Sequence, residues 1–204
     1  TEEAIRVLER KIQTQRVQRA LIPGAKFPTF VETDINGKPL SLEKYKGKVV
    51  LVDFWATWCV PCLIDMPNVI KTYEQRHQRG FEVIGISLDV DQAKLQSFIK
   101  DKNIPWQQYC DGKYWDTKLV LKYGVEAVPY NYLLDRKGNI VAVNLHGEQL
   151  EQAVAMETMP GLQRMLTSGV RATDDVVRRA PYSTLAVVFL LGLFAGALFM
   201  RPRR

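Results

Sequence analysis

Residues 49–62 read VVLVDFWATWCVPC and determine how the rest of the chain is interpreted. The first six residues are apolar except for Asp53, which is the pattern of a strand buried on both faces. Cys59 and Cys62 follow at the predicted start of a helix, where free N–H groups and the helix dipole favour a thiolate. The segment therefore predicts a redox pair in which Cys59 is the nucleophile and Cys62 resolves the mixed disulfide.

Around this segment, predicted strands alternate with predicted helices. The predicted strands cover residues 30–33, 49–54, 81–88, 130–134 and 140–144, and the predicted helices cover residues 1–21, 91–102, 115–123 and 149–166, with one more from the cysteines to about residue 78. This alternation predicts an α/β fold with a central mixed sheet flanked by helices. Residues 1–22 are assigned to an amphipathic helix, which either ends an upstream domain or packs on the core.

Most of the excess positive charge lies at the end of the chain. The 204 residues are 47% hydrophobic and 25% charged, a composition that excludes a disordered or collagen-like protein. The formal net charge is +6, but residues 171–204 hold six Arg against two Asp, so the remainder is close to neutral. We therefore expect no nucleic-acid partner.

An uncharged segment near the C-terminus predicts attachment to a membrane. Residues 182–200 read YSTLAVVFLLGLFAGALFM, long enough for a transmembrane helix that contacts lipid. We assign residues 167–181 to a linker and residues 201–204 to a basic tail. The chain begins at Thr1, so we expect that an upstream segment was removed. A removed export signal places the globular part on the periplasmic side of a single-pass protein, whereas a tail-anchored topology leaves it inside.

Three other uses of the cysteines compete with thiol-disulfide exchange. A zinc site requires a second CxxC or HxxxH pair, which the chain does not contain. A peroxidase of similar fold has Thr and Pro where this chain has Ala56 and Val52. The remaining alternative is a Cu(I) metallochaperone that uses the thiolates of Cys59 and Cys62. We predict no resident metal.

Four segments together carry a family resemblance. The segment VVLVDFWATWCVPC, with PGAKFPTF, DINGKPLSLEKYKGK and VEAVPYNYLLDRKGNI, resembles the membrane-anchored thioredoxins of the TlpA and ResA type over about residues 23–157. The resemblance implies a thioredoxin-like domain, assigned to residues 23–166, and thiol-disulfide oxidoreductase activity. It also implies that no organic cofactor is needed.

The resemblance implies roles for several more residues. Pro129, after Val128, matches the cis-proline that faces the dithiol and holds an extended substrate segment. Asp53 matches the buried carboxylate that relays the proton of the second cysteine, and Glu82 matches a buried glutamate described near the dithiol. Trp58, beside the first cysteine, is expected to contact the partner protein.

The resemblance also implies partners. Candidate substrates are protein disulfides, such as the haem-binding CxxC of apocytochrome c or the copper-site cysteines of respiratory oxidase. A membrane-borne or soluble thiol donor must then return electrons to the dithiol. We interpret Cys110 as an incidental free thiol, and His77 and His146 as solvated surface residues.

Overall fold

The structure is a computed structural model that describes residues 2–159 and residue 161. Its strands are β1 (Val31–Thr33), β2 (Pro39–Ser41), β3 (Val49–Trp55), β4 (Phe81–Ser87), β5 (Gln108–Tyr109), β6 (Tyr130–Leu134) and β7 (Ile140–Val143). Its α-helices are α1 (Glu2–Ala20), α2 (Val60–Arg76), α3 (Gln92–Asp101), α4 (Lys118–Tyr123) and α5 (Gly147–Thr158). Short 3-10 helices span Leu42–Tyr45, His77–Arg79 and Tyr114–Asp116.

The central sheet is mixed, as predicted. Its strand order is β5-β4-β3-β6-β7, with β3 in the middle. β3 pairs parallel with β4 and antiparallel with β6, and all seven residues of β3 are buried. β1 and β2 form a separate antiparallel hairpin across the turn at Asn36 and Gly37. The buried central strand thus leads directly into the two cysteines.

The sequence pattern does not predict β5, because two residues are too few to show an alternation. β5 joins the sheet where Gln108 faces Gly85 of β4. A Cβ atom at Gly85 would lie 1.8 Å from Oε1 of Gln108, so glycine leaves the space that the glutamine fills. The same oxygen accepts a hydrogen bond from Nε1 of Trp55 at 3.0 Å, which fixes Trp55 as a packing residue.

The predicted N-terminal helix is present as α1, but the apolar residues in its first two-thirds are not packed on the core. Ile5, Leu8 and Ile12 are 58%, 58% and 42% exposed. Val17, near the C-terminal end of α1, packs partly buried against the core. Polar contacts also attach the helix: Nη1 of Arg10 donates to Asp116 at 2.7 Å, and Nε2 of Gln18 donates to a backbone carbonyl at 2.9 Å. The spacing of the apolar residues therefore predicted the helix correctly, but it did not predict that these residues are exposed.

The predicted membrane segment lies outside the described residues. So do the linker at 167–181, the basic tail at 201–204 and the last residues of the predicted helix 149–166. Among residues 2–159 and 161, no helix has the length and apolar character that a membrane crossing requires.

Candidate active site

Cys59 and Cys62 lie at the junction of β3 and α2. Cys59 is the N-cap residue of α2, and its sulfur accepts a hydrogen bond from the N–H of Cys62 over 3.2 Å. The two sulfur atoms are 1.99 Å apart and form a disulfide, so the structure describes the oxidised protein. After reduction, the free N–H groups at the start of α2 stabilise a thiolate on Cys59.

Asp53, predicted to relay the proton of the second cysteine, lies close to that cysteine. It lines a crevice of about 10 Å³ together with Cys62 and Pro129, which is room for about one water molecule. Burial, and after it the negative charge of Asp65, raise the pKa of Asp53 to about 7. The Asp53 carboxyl can therefore exchange a proton with the Cys62 thiol near neutral pH.

Asp65 is a further residue of this crevice that was not predicted. It lies three residues after Cys62 on α2, so the two side chains share one helix face. In the sequence, this three-residue spacing from Cys62 could have indicated Asp65 as a residue of the site. The Oδ2 atom of Asp65 is 3.0 Å from Nδ1 of His146, and its Oδ1 accepts the N–H of Gly147 at 2.9 Å. His146, expected to be a solvated surface residue, is instead partly buried against this carboxylate.

The proline expected to face the dithiol has the expected geometry. The bond between Val128 and Pro129 is cis. Pro129 lines the same crevice as Cys62, and Val128 packs partly buried against the core. The structure therefore brings Pro129 together with Cys62 and Asp53.

Trp58 contributes to an aromatic surface next to Cys59. Its side chain is exposed, and its ring centroid lies 5.1 Å from that of Tyr114 and 6.3 Å from that of Trp115. Tyr114 is also exposed and has a positive φ of 54°. We call these three side chains the aromatic rim. The rim offers apolar area beside the nucleophile, which suits contact with a protein substrate.

Glu82 does not lie beside the dithiol, which corrects the expected location. It pairs with Val50 in the register of the two central strands, three positions before Gly85, which faces Asp53. At about 3.3 Å per residue this separates Glu82 from Asp53 by roughly 10 Å along the sheet. Its Oε1 instead lies 3.5 Å from Nδ1 of His77. From the sequence alone, a single acidic residue in an apolar strand does not show whether it lies near the end of the sheet that carries the dithiol.

Cys110 is separate from the redox pair and buried. Its Sγ donates a hydrogen bond to the carbonyl of Asp89 at 3.0 Å, and burial raises the pKa of the thiol. Both effects keep this thiol protonated and unreactive. In the part of the chain that the structure describes, no three or more His, Cys, Asp or Glu side chains are grouped to hold a metal ion.

Comparison with known proteins gives a consistent set of similarities. The family model described as Redoxin matches residues 22–158. The chain is 33% identical over 129 residues to a thiol-disulfide oxidoreductase ResA of Bacillus cereus, covering 63% of this chain and 72% of that protein. It is 28% identical to ResA of Bacillus subtilis over 126 residues, covering 62% and 69% of the two chains. Among solved structures, it is similar to the thioredoxin domain of a thiol-disulfide oxidoreductase from Bacteroides vulgatus, at 32% identity and a TM-score of 0.61, covering 66% of this chain and 96% of that one.

Proposed function

This chain belongs to the Redoxin family and is a thiol-disulfide oxidoreductase, and from that premise we propose that it reduces disulfide bonds in protein substrates. The observation that carries the proposal is the position of Asp53 beside Cys62 with a pKa of about 7. A carboxylate with that pKa can take the proton of the resolving cysteine at neutral pH. The aromatic rim beside Cys59 supports a protein substrate.

The reductive reaction proceeds in two displacements. The Cys59 thiolate attacks one sulfur of the substrate disulfide, forms a mixed disulfide and expels the other substrate sulfur as a thiolate. Asp53 then takes the proton from the thiol of Cys62. The Cys62 thiolate attacks Sγ of Cys59, which closes the Cys59–Cys62 disulfide and releases the second substrate thiolate. The substrate gains two electrons, and a thiol donor must afterwards return two electrons to the enzyme.

The substrates that we propose are those implied by the sequence resemblance. They are exported proteins with paired cysteines, either the haem-binding CxxC of apocytochrome c or the copper-site cysteines of respiratory oxidase. We also propose that residues 182–200 anchor the domain on the periplasmic side of the membrane. Nineteen residues without charge, with Arg178 and Arg179 before them and Arg201 after them, support the membrane span.

The midpoint potential of the dithiol tests the proposed direction of electron flow. The full-length protein carrying Cys110→Ser is equilibrated in glutathione buffers and followed by tryptophan fluorescence. A reductant of protein disulfides is expected to have a midpoint potential below about −230 mV, close to thioredoxin. A potential above about −180 mV is typical of an isomerase or oxidase and would contradict the proposal.

A further inference from the structure

His146 lies between solvent and the carboxylate of Asp65, which borders the active-site crevice. Its side chain is 36% exposed, whereas that of Asp65 is 15% exposed and borders the crevice that contains Asp53 and Cys62. The ring and the carboxylate are in contact, with 3.0 Å between Nδ1 and Oδ2. Neither the reductive mechanism nor the family resemblance gives this histidine a role.

Both ring nitrogens of His146 face oxygen atoms. Nδ1 faces Oδ2 of Asp65, and Nε2 lies 2.9 Å from the side-chain oxygen of Asn144. In the orientation that the structure gives the Asn144 amide, its oxygen faces Nε2 and accepts, which makes Nε2 the donor. Nδ1 then either donates its own proton to the Asp65 carboxylate or accepts one from the protonated carboxyl. In both cases one proton is shared between His146 and Asp65.

Hydrogen bonds to Asn131 fix the segment that carries this histidine. The side-chain amide of Asn131 donates to the carbonyl of Leu145 at 2.7 Å and accepts its N–H at 2.9 Å. The backbone carbonyl of Asn131 also accepts the N–H of Asn144 at 2.8 Å. Asn131 is buried and pairs with Asp53 in the sheet. The strand that faces Asp53 therefore also sets the position of His146.

We propose that His146 is a positioning residue of the active site: by sharing a proton with Asp65 it neutralises that carboxylate, and so allows Asp53 to accept the proton of Cys62 at neutral pH. The negative charge of Asp65 favours the protonated form of Asp53, because the two carboxyl groups repel when both are ionised. A proton held by the pair weakens this repulsion. The inference rests on the proposed function, since it concerns the proton of the resolving cysteine.

The other charged groups near His146 come from the elements packed around it. Asp65 faces it from α2, and Asp53 lies behind Asp65 on β3. Glu148 follows on α5 and is exposed, so its effect is screened by water. Lys71 of α2 and Glu151 of α5 form an ion pair of 3.0 Å and offset each other's charge.

The test is the pH dependence of the resolving step in single turnovers of the full-length protein. The reduced enzyme is mixed with a peptide disulfide, and the decay of the mixed disulfide is followed. The wild-type rate is expected to rise with pH as Asp53 ionises. In His146→Asn the midpoint should move up by about one pH unit, because the Asp65 charge is no longer balanced.

Two further variants distinguish this electrostatic role from a structural one. Asp65→Asn removes the repelling charge and should move the midpoint to lower pH, opposite to His146→Asn. In the double variant the effect of His146→Asn should vanish, since no carboxylate remains for it to act on. His77→Asn is the matched control, because His77 is the chain's other histidine and also contacts a carboxylate, but one that lies away from the dithiol.

Three outcomes would overturn the proposal. They are a His146→Asn profile that superimposes on the wild type, a double variant that still differs from Asp65→Asn, and a uniform loss of rate without a shift in midpoint. The last result would assign the contact a purely structural role in holding α5 against α2. A midpoint potential typical of an oxidase would contradict the proposed reducing function, yet it would leave this pH comparison unchanged.

Discussion

Two acidic residues interrupt the two central strands, and their surroundings differ sharply. Asp53 of β3 is 5% exposed, borders Cys62 and has a pKa of about 7. Glu82 of β4 lies near the opposite end of the sheet, where its partly exposed side chain contacts His77. An acid in an apolar strand is therefore not a functional signal by itself. The position of the acid along the strand determines whether it lies near the site, because sites in open sheets form beyond the carboxyl ends of parallel strands.

The largest effect on turnover is expected for a substitution in the dithiol. Cys62→Ser should abolish turnover while leaving attack by Cys59 intact, because the mixed disulfide can no longer be resolved. The variant should accumulate a covalent adduct with a peptide disulfide, visible by mass spectrometry and lost on adding dithiothreitol.

Cys110→Ser is the matched control for this prediction. It replaces the buried third cysteine by a side chain of nearly the same size, so turnover and adduct formation should match the wild type. An adduct on Cys110, or turnover by Cys62→Ser, would show that the roles of the cysteines are wrongly assigned.

Asp53→Asn should have the next largest effect. The variant keeps the shape of the side chain but has no carboxylate to accept the Cys62 proton, so the resolving step should slow about a hundredfold at neutral pH. Attack by Cys59 on the substrate should be little changed. Rapid-quench measurement of the mixed disulfide separates the two steps, and equal slowing of both would contradict the assignment of Asp53 as the base.

Burial of Asp53 also makes the stability of the fold depend on pH. The pKa rises from its ordinary value of 3.8 to about 7 in the folded protein. The protonated carboxyl therefore contributes stability that is complete below about pH 4 and is lost as the pH rises to about 7, a loss of roughly 4 kcal/mol. Urea unfolding on either side of this window should show a smaller difference for Asp53→Asn than for the wild type.

The comparison also shows what could be predicted from the sequence. The apolar run of β3 and the CxxC spacing predicted the central strand, the redox pair and the mixed sheet, because each is a local pattern. The contact between His146 and Asp65 joins residues 81 positions apart and leaves no local pattern. For Glu82, alternation along a strand gives the face of a residue but not its distance from a site at the strand end.

Trp58→Ala should have a moderate effect that depends on the size of the substrate. Removing the indole takes away apolar contact area in the aromatic rim and should raise the KM for a folded protein disulfide about tenfold. Turnover of a small disulfide reagent should change little, because it does not extend to the rim. A loss of kcat for both substrates would instead give Trp58 a role in positioning Cys59.

The smallest effect on turnover is expected for Glu82→Gln. Burial first, and the charge of Glu82 second, raise the pKa of Tyr45 to about 12, and the same two causes raise the pKa of Tyr73. Glutamine keeps the shape without the charge, so both phenols should ionise at lower pH. Turnover should stay within about twofold of the wild type, because a charge roughly 10 Å along the sheet from the dithiol is strongly attenuated. Phenolate absorbance, with Tyr45→Phe to assign the signal, measures the first effect, and a disulfide-reduction assay measures the second. If Glu82→Gln slowed the resolving step as much as Asp53→Asn does, the two acids would serve one site and the contrast between the ends of the sheet would fail.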